Sequence, residues 1–387
     1  MNELPVGRRV AQWRARRNMT QQQFADRLGR SKSWVDKVER GVRRLERVSS
    51  LREVADALRI DLEVLLADQP GRPDQAAAGV EGVGTALSRY HVEAPTGPLD
   101  VVELRTRLDH AEQSYRHARY PQLLALLPGL LDAARTARAV RPARATATLL
   151  VSAYGLTALA LVKADQGELA WLAADRQMAL AQATGDLRVA AAATVSLAQV
   201  LRHGGRRRSA MEAAVVAVHR LRSVSSGAPA DPSLLGPLLL QAAFAAADRG
   251  LDRDARQLLD QAAEVARDVG AGDGGFGRAA VEAARVVAEA ALGDVAAATV
   301  RHERLIAGGE WRWLPTEHRA AYLLDAARAY VLAGDLRRAG RALLEAERTA
   351  RGEVHDRPAV RDLVAVVARS AAAPPDLARL AAALRVT

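Results

Sequence analysis

The chain has 387 residues, of which 49% are hydrophobic and 26% are charged, a balance typical of a globular protein of two or three domains. It contains no cysteine, which excludes disulfide bonds and thiolate metal sites. The net charge is +10, and most of this excess lies in residues 8–47, where 13 basic residues accompany 4 acidic ones. Such a confined basic cluster is typical of a surface that binds a polyanion.

The hydropathy pattern indicates the cellular compartment of the protein. The segment MNELPVGRRVAQW lacks the apolar core of a signal peptide, and the chain contains no run of 18 apolar residues. We therefore expect a cytoplasmic protein that does not associate with a membrane.

Residues 1–66 are predicted to form a domain of five helices. Thr20 and Gln23 have the spacing of a capping box, Gly29 can end the helix that Thr20 begins, and Ser31 can cap the next helix. Apolar residues at helical spacing complete the prediction. The five helices are expected over about residues 5–17, 20–29, 31–41, 49–58 and 61–66.

The third of these helices has two chemically distinct faces. Val35 and Val38 face inward, and the outer face carries Lys32, Ser33, Asp36, Lys37 and Arg40. Two helices joined by a short glycine turn form a helix-turn-helix unit. In that motif the second helix lies in the major groove of DNA, and its N-terminal residues reach base edges.

The pattern resembles the Cro/XRE class of phage-repressor-like helix-turn-helix proteins over residues 6–66. It is carried by Thr20-Gln21, Phe24-Ala25, Leu28-Gly29, Ser31, Val35, Val38-Glu39-Arg40-Gly41, Glu53–Leu58 and Leu65-Leu66. The resemblance implies a lambda-repressor-like domain that binds double-stranded DNA. It also implies that Gln21 holds a phosphate, that Lys32, Ser33 and Lys37 point at bases, and that Arg14 and Glu39 form a structural ion pair.

The full set of candidate DNA-binding residues extends into the following loop. It comprises Gln21, Ser31, Lys32, Ser33, Trp34, Lys37, Arg40, Arg43, Arg44 and Arg47. The three loop arginines are expected to contact phosphates, which position a domain without reading sequence. Two alternatives stand for Trp34, namely packing against the first helix or the domain edge, and contact with a sugar or thymine methyl group. The lysine and serine at positions 32 and 33 depart from the glutamines common in this class, so no operator sequence follows.

Residues 67–98 are interpreted as a linker. Four prolines at positions 70, 73, 95 and 98, with several glycines, interrupt any long helix. We expect a tether with a short helix near Ala86–Tyr90.

Residues 99–387 are predicted to form an array of helical repeats. Glycines recur at positions 167, 205, 250, 293 and 334, and the last four are 45, 43 and 41 residues apart. Small or aliphatic residues occupy fixed offsets from those four glycines, such as Ala210, Ala255, Ala298 and Ala339 five residues later. Small residues at these offsets allow antiparallel helices to approach and stack into a solenoid. Around Gly167 the register is ambiguous, because Leu172 occupies the small position.

The segment from Tyr322 to Ala346 resembles a tetratricopeptide (TPR) repeat, with longer spacing than the usual 34 residues. The fold class is therefore all-α, with a five-helix DNA-binding domain and a TPR-like α-solenoid. Such arrays bind peptides, partner proteins or a second subunit along a concave face. The candidate ligand groove comprises Gln199, Arg202, His203, Phe244, Arg285 and Arg328, with Leu240 and Leu324 beside them. The Trp311-Arg312-Trp313 cluster is expected to cover the end of a neighbouring helix pair, or alternatively to contact a ligand or a second subunit.

Enzymatic chemistry has no support in the sequence. The chain has no HExxH, no Gly-x-Ser-x-Gly and no histidine cluster with metal-ligand spacing. The GxGxxG matches within residues 270–277 lack the preceding strand that dinucleotide binding requires. We expect no catalytic residues, no metal and no cofactor.

A DNA-binding domain joined to such an array resembles the peptide-sensing, quorum-sensing regulators of Gram-positive bacteria and related actinobacterial regulators. The resemblance implies a homodimer on a palindromic operator, with a peptide or small-molecule effector bound by the repeats. Asparagines, which often clamp a peptide backbone in such receptors, occur only at Asn2 and Asn18. The alternatives are a scaffold or anti-regulator whose repeats bind a partner protein, and a repressor with no effector. Activation and repression are not distinguished.

Overall fold

A computed structural model describes residues 6–17, 19–43, 45, 48–58, 72–90, 101–224, 231–267, 269 and 275–386. Helices and turns account for these residues, and no strand occurs among them, so the all-α prediction is confirmed. The chain divides into two compact units, Met1–Asp74 and Gln75–Thr387.

The first unit contains four described helices. They are α1 (Val6–Arg16), α2 (Gln21–Leu28), α3 (Lys32–Glu39) and α4 (Val48–Leu58). The caps are those expected from the sequence: the Thr20 hydroxyl accepts from the Gln23 backbone N–H at 3.2 Å, and the Ser31 hydroxyl accepts from that of Trp34 at 3.2 Å. Gly29 ends α2 with a φ of +62°. The predicted fifth helix, over residues 61–66, lies outside the described residues.

Close helix crossing fixes the position of α3. Phe24, Val35 and Val54 are fully buried in one core that joins α2, α3 and α4. A Cβ atom at Gly7 would lie 1.9 Å from the Val38 carbonyl oxygen, so only glycine permits α1 to cross α3 at this distance. The recognition helix predicted from the sequence is therefore held from both sides.

The second unit begins with one helix and continues as antiparallel pairs. The helices are α5 (Arg72–Ser88), α6 (Val101–Arg116), α7 (Tyr120–Val140), α8 (Arg144–Lys163), α9 (Gly167–Ala183), α10 (Leu187–His203), α11 (Arg207–Val224), α12 (Pro232–Ala247), α13 (Asp252–Arg267), α14 (Arg278–Ala291), α15 (Val295–Gly308), α16 (Thr316–Leu332), α17 (Leu336–Thr349), α18 (Arg351–His355), α19 (Pro358–Ala368) and α20 (Pro375–Ala383). A 3-10 turn spans Glu310–Trp313. We number the pairs from hairpin 1 (α6–α7) to hairpin 6 (α16–α17).

One turn residue with positive φ lies inside each hairpin. These residues are Ala118, Asp165, Gly205, Gly250, Gly293 and Gly334, with φ between 53° and 87°. The register around Gly167 is therefore corrected by two residues, because Asp165 makes the turn of hairpin 2. Seven residues before and five after Asp165 lie Ala158 and Ala170, both fully buried. The small positions predicted from the last four glycines are likewise buried at 0–9% exposure.

The linker interpretation of residues 67–98 fails over 72–88, where α5 forms and packs on hairpins 1 and 2. Val83, Ala86 and Leu87 are fully buried in the core of α6–α9. Pro73 lies in the first turn of α5, where a missing N–H costs no helical hydrogen bond. The glycines that suggested a flexible tether instead allow close packing, since a Cβ at Gly79 would lie 2.8 Å from that of Leu124.

Helix α8 is long and apolar enough, by length and composition, to cross a membrane, with a mean hydropathy of 1.8. It lies instead in the core of the second unit, with 72% of its apolar window buried. Helices α6, α7, α9 and α10 all pack against it, which accounts for a composition without polar stripes.

The array curves until hairpin 6 meets hairpin 1. Ala320 of α16 and Ala350, which precedes α18, belong to the same buried cluster as α6–α9. A Cβ at Gly352 would lie 1.8 Å from the Ala118 carbonyl oxygen. In an open solenoid each repeat contacts only its neighbours, so this contact closes the array on itself.

Candidate DNA interface and charged sites of the repeat array

The outer face of α3 is exposed and cationic. Ser31, Lys32, Ser33 and Lys37 are exposed, while Val35 on the opposite face is fully buried. Ser33 and Lys37 are four residues apart, which places them on one face of the helix. Among the contacts of the described residues neither lysine has an acidic partner, so both amines are available to an external acceptor.

Arg40 and Trp34 have partners within their own unit. The Arg40 guanidinium lies 3.3 Å from the Asp36 carboxylate, in an exposed pair of little energetic weight. The Trp34 side chain is half-buried and packs on the domain core, as the first of its two alternatives expected. Its ring also lies 5.7 Å from the Arg30 guanidinium and 6.0 Å from that of Arg43. Trp34 therefore holds two arginines near the start of α3 by cation–π contact.

Arg30 was not among the residues predicted from the sequence to bind DNA. It directly precedes the Ser31 cap, so a basic residue at that position was the available signal. Its only described ion pair is a 3.6 Å contact with Glu53, and both side chains are about half exposed. The predicted loop residues Arg44 and Arg47 lie outside the described residues.

Arg14, Gln21 and Glu39 form one network. Arg14 donates to both carboxylate oxygens of Glu39, at 2.6 and 3.0 Å, and to the Met19 carbonyl oxygen at 2.7 Å. Gln21 donates its side-chain N–H to the same carboxylate at 2.8 Å. The Glu39 side chain is only 6% exposed. This network joins α1, α2 and α3, and it engages the Gln21 amide that the resemblance assigned to a phosphate.

The predicted groove residues of the array are engaged by different acidic partners. Arg202 lies 3.0 Å from Asp248 and 4.8 Å from the centre of the Phe244 ring, so these predicted residues do meet. His203 contacts Asp165 at 3.2 Å. Arg285 contacts Asp260 at 2.7 Å, and Arg328 pairs with Asp325 on its own helix. Gln199 is half-buried on α10.

Two further groove expectations are wrong. Leu324 is fully buried and Leu240 is 8% exposed, so both are core residues. The two tryptophans differ in exposure: Trp311 is 7% exposed and its ring centre lies 5.8 Å from the Arg319 guanidinium of α16, whereas Trp313 is 72% exposed.

A cleft of about 350 Å³ lies elsewhere, between α17, α18 and α20. Its lining includes Glu347, Arg348, Arg351, His355 and Arg379, none of which was predicted. Within it, His355 Nε2 lies 2.7 Å from the Glu347 carboxylate, and this contact holds the pKa of Glu347 below its usual range.

A buried charged cluster, which we call the junction cluster, lies where hairpin 6 meets hairpins 1 and 2. Lys163 Nζ is 2.5 Å from Glu317 and 2.7 Å from Glu353. Glu353 is completely buried and also accepts from Tyr120 and, at 2.5 Å, from Arg357. Lys163 is one of three lysines in the chain and the only one beyond residue 37, which was the sole hint in the sequence.

Electrostatics keeps the junction cluster ionised. Burial alone would lower the pKa of Lys163, but Glu317 and Glu353 outweigh it and raise the pKa above its usual value. Burial likewise opposes the charge of Glu353, yet Lys163 and Arg357 hold its pKa below the usual range. Two cations therefore balance two anions inside the protein.

Comparisons of the whole chain with known proteins find distant similarity. A search of curated proteins returns no match to the chain. The solved structures that are similar include the following three. PlcR of Bacillus thuringiensis, solved with the peptide PapR7 and DNA, has 11% identity and a TM-score of 0.30, with 68% of this chain and 94% of PlcR covered. Aspartyl phosphate phosphatase F of Bacillus subtilis has 12% identity and a TM-score of 0.44, with 90% and 94% covered. The SHP pheromone receptor Rgg2 of Streptococcus dysgalactiae has 9% identity and a TM-score of 0.22, with 89% and 97% covered.

The family comparison identifies the segment that contains α1–α4. Residues 5–68 match the family described as a helix-turn-helix domain. The same residues contain the capped α2–α3 pair and the buried ion pair between α1 and α3. The chain therefore carries, over residues 5–68, a helix-turn-helix domain that is Cro/XRE-like.

Proposed function

We propose that the chain is a sequence-specific, DNA-binding transcriptional regulator. It acts in the cytoplasm as a homodimer on a palindromic operator, with residues 1–66 as the DNA reader and residues 99–387 as the regulatory domain. The proposal assigns no catalytic role to the chain. One observation carries it: the α3 face of Lys32, Ser33 and Lys37 is exposed and cationic in a helix-turn-helix domain.

Phosphate and base contacts are assigned to different residues. Lys37 lies in the last turn of the eight-residue α3, on the same exposed face as Ser33, and is assigned to a base edge in the major groove. Arg30 and Arg43, held beside Trp34, flank the start of the helix and suit phosphate contacts, which position the domain. Lysine or arginine paired with guanine contributes about 1–3 kcal/mol of discrimination.

The experiment compares the DNA affinity of three single-alanine variants. Each is measured on the operator identified by genome-wide footprinting and on a random duplex of equal length. Lys37→Ala should lose about 1–3 kcal/mol on the operator and much less on random DNA. Arg43→Ala should weaken both complexes alike and reduce the salt slope by about 1. Arg52→Ala removes one exposed positive charge from α4 and serves as the control. Equal losses of operator and random binding for Lys37→Ala would remove its base-reading role.

The dimer is tested separately. Two recognition helices bind half-sites about 34 Å apart, one turn of the duplex. Sedimentation of the full chain should give a dimer at micromolar concentration, and footprints should show two-fold symmetry. A strict monomer with an asymmetric footprint would refute the palindromic operator.

The repeat domain is assigned the task of receiving a signal, either a peptide or a small molecule. Arg202 and Phe244 are the best-supported part of the proposed groove because they contact each other on neighbouring hairpins. A ligand controls DNA binding only if its affinity differs between two conformations. Genome-wide footprints recorded with and without culture supernatant identify the operator and test for a secreted effector.

A second candidate is a scaffold whose repeats bind a partner protein. The cleft between α17, α18 and α20 is lined by three arginines and two carboxylates, and this positive excess favours an anionic partner segment. Stoichiometric recovery of one protein with the full chain, without change in DNA footprints, would support this alternative.

A further inference from the structure

Closure of the array depends on few apolar contacts and many polar ones. Beyond the junction cluster and the Tyr115 ring, whose centre lies 5.9 Å from Lys163 Nζ, the residues that meet there are small: Ala118 and Gly352 at backbone contact, with Ala320 and Ala350 beside them. Adjacent hairpins, by contrast, bury leucines such as Leu238 and Leu239 completely. Free energy from apolar burial is therefore concentrated within the stack and is small at the junction.

The ionic part of the junction adds specificity more than stability. Lys163, Glu317 and Glu353 have side chains that are 10%, 15% and 0% exposed, so each loses most of its hydration on closure. The desolvation cost of a buried ion pair offsets much of its Coulomb attraction. When the junction opens these groups rehydrate, and the open array keeps all of its hairpin-to-hairpin stacking.

Helix dipoles favour the same arrangement. Lys163 is the last residue of α8, and Glu317 lies in the first turn of α16. A cation at a helix C-terminus and an anion at an N-terminus are each stabilised by the aligned peptide dipoles. The closed arrangement therefore requires these two helix ends to meet in one geometry.

The hairpins that supply one side of the junction also hold α5. Arg135 of α7 donates to the Ala86 carbonyl oxygen at 2.5 Å, and Arg176 of α9 donates to that of Leu87. The last carbonyls of α5 are thus bound by hairpins 1 and 2, the hairpins that contribute Tyr120 and Lys163. Any movement of these two hairpins away from hairpin 6 carries α5 with it, and in the chain α5 follows the DNA-binding unit.

We propose that the junction cluster is a releasable latch that holds the array closed. Its release separates hairpins 1 and 2, with α5, from hairpin 6. The array thereby has two discrete states, which a regulatory domain requires, and the link to DNA binding rests on the function proposed above.

The test uses pulsed electron–electron double resonance on the full chain, which measures the distance between two spin labels. Because the chain has no cysteine, Arg105→Cys on α6 and Arg341→Cys on α17, both exposed, give two spin labels only. Lys163→Met leaves Glu317 without its cation and Glu353 with Arg357 as its one remaining cation, and it should shift the distance peak to longer values by more than its parental width. Glu317→Gln, a milder change, should populate the same longer distance in part.

Two controls isolate the latch. Arg285→Met removes an ion pair between adjacent hairpins, in which the arginine is 19% exposed and Asp260 is 67% exposed, and it should leave the distance unchanged. Lys163→Met/Glu353→Gln removes one charge of each sign and should recover part of the short distance. Circular dichroism should show parental helix content in every variant.

The outcomes are distinct. Unchanged distances in both the Lys163 and Glu317 variants would overturn the latch, as would loss of helix content in both. A longer distance with a several-fold change in operator Kd supports the latch and its coupling. If the variants show the longer distance but the parent protein binds no DNA, the latch proposal stands and the proposed function is refuted.

Discussion

Acid should weaken the packing of hairpin 5 on hairpin 6 through one buried imidazole, that of His302. The side chain is 8% exposed, and its Nδ1 lies 2.7 Å from the Tyr322 hydroxyl. The Tyr330 ring meets it edge-on at 5.6 Å. Burial lowers the pKa of His302 from 6.5 to about 4, and Glu303 only partly opposes this effect.

The magnitude follows from linkage. Above pH 6.5 the imidazole is neutral in both the folded and the unfolded chain, so it adds no pH dependence. Between pH 6.5 and about 4 the unfolded chain binds a proton that the folded chain does not, and folding is weakened by about 1.4 kcal/mol per pH unit. Below about pH 4 both states are protonated, and the accumulated loss levels off at about 3 kcal/mol.

The assay combines two measurements on the full chain. The imidazole carbon signals of the eight histidines are titrated by NMR, and His302→Gln identifies the signal of interest. The glutamine amide can still bond to Tyr322 but does not titrate. Hydrogen exchange in α15 and α16 is then followed from pH 7 to pH 4, with correction for intrinsic exchange rates.

The parent should lose protection in α15 and α16 as the pH falls, and His302→Gln should lose much less. His219→Gln, at an exposed position of α11, is the matched control and should behave as the parent does. A His302 signal that titrates near pH 6.5 would refute the reasoning. So would the same acid-induced loss of protection in parent and His302→Gln.

Two further predictions concern the DNA-binding unit. Gly7→Ala places a Cβ 1.9 Å from the Val38 carbonyl oxygen, so α1 must move; we expect destabilisation by about 1–3 kcal/mol, seen as faster exchange in α1 and α3. Unchanged exchange there would show that the crossing is looser than described. Arg14→Leu leaves the buried Glu39 carboxylate with one amide donor; the loss should approach about 3–5 kcal/mol, reduced because Arg14 is 17% exposed. The Arg14→Leu/Glu39→Leu variant should recover most of this stability, and a double variant as unstable as the single one would contradict the account.

Local sequence was sufficient where hydrogen bonds and periodicity act within a few residues. The Thr20 capping box and the Ser31 cap predicted α2 and α3 and the exposed face of Lys32, Ser33 and Lys37. Repeated glycines with small residues at fixed offsets predicted the last four hairpins. In each case the side chain and the backbone group it affects lie within one or two helical turns.

Tertiary structure decided what depends on distant residues. Ala118 and Asp165 adopt positive φ without being glycine, because the helices on either side are fixed by their neighbours. Residues 72–88 were predicted to be part of a linker, but they form helix α5 because hairpins 1 and 2 bury one of its faces.

The junction cluster shows most clearly that local sequence patterns do not determine contacts between residues far apart in the chain. Lys163 and Glu353 are 190 residues apart in sequence and 2.7 Å apart in space. Their meeting depends on the summed rotations of six hairpins, to which each local pattern contributes only a small angle. The sequence by itself determined the capped helix α3 with its exposed basic face and the repeating unit of the array. Only the tertiary structure decided that the array closes and which charges are buried where it does.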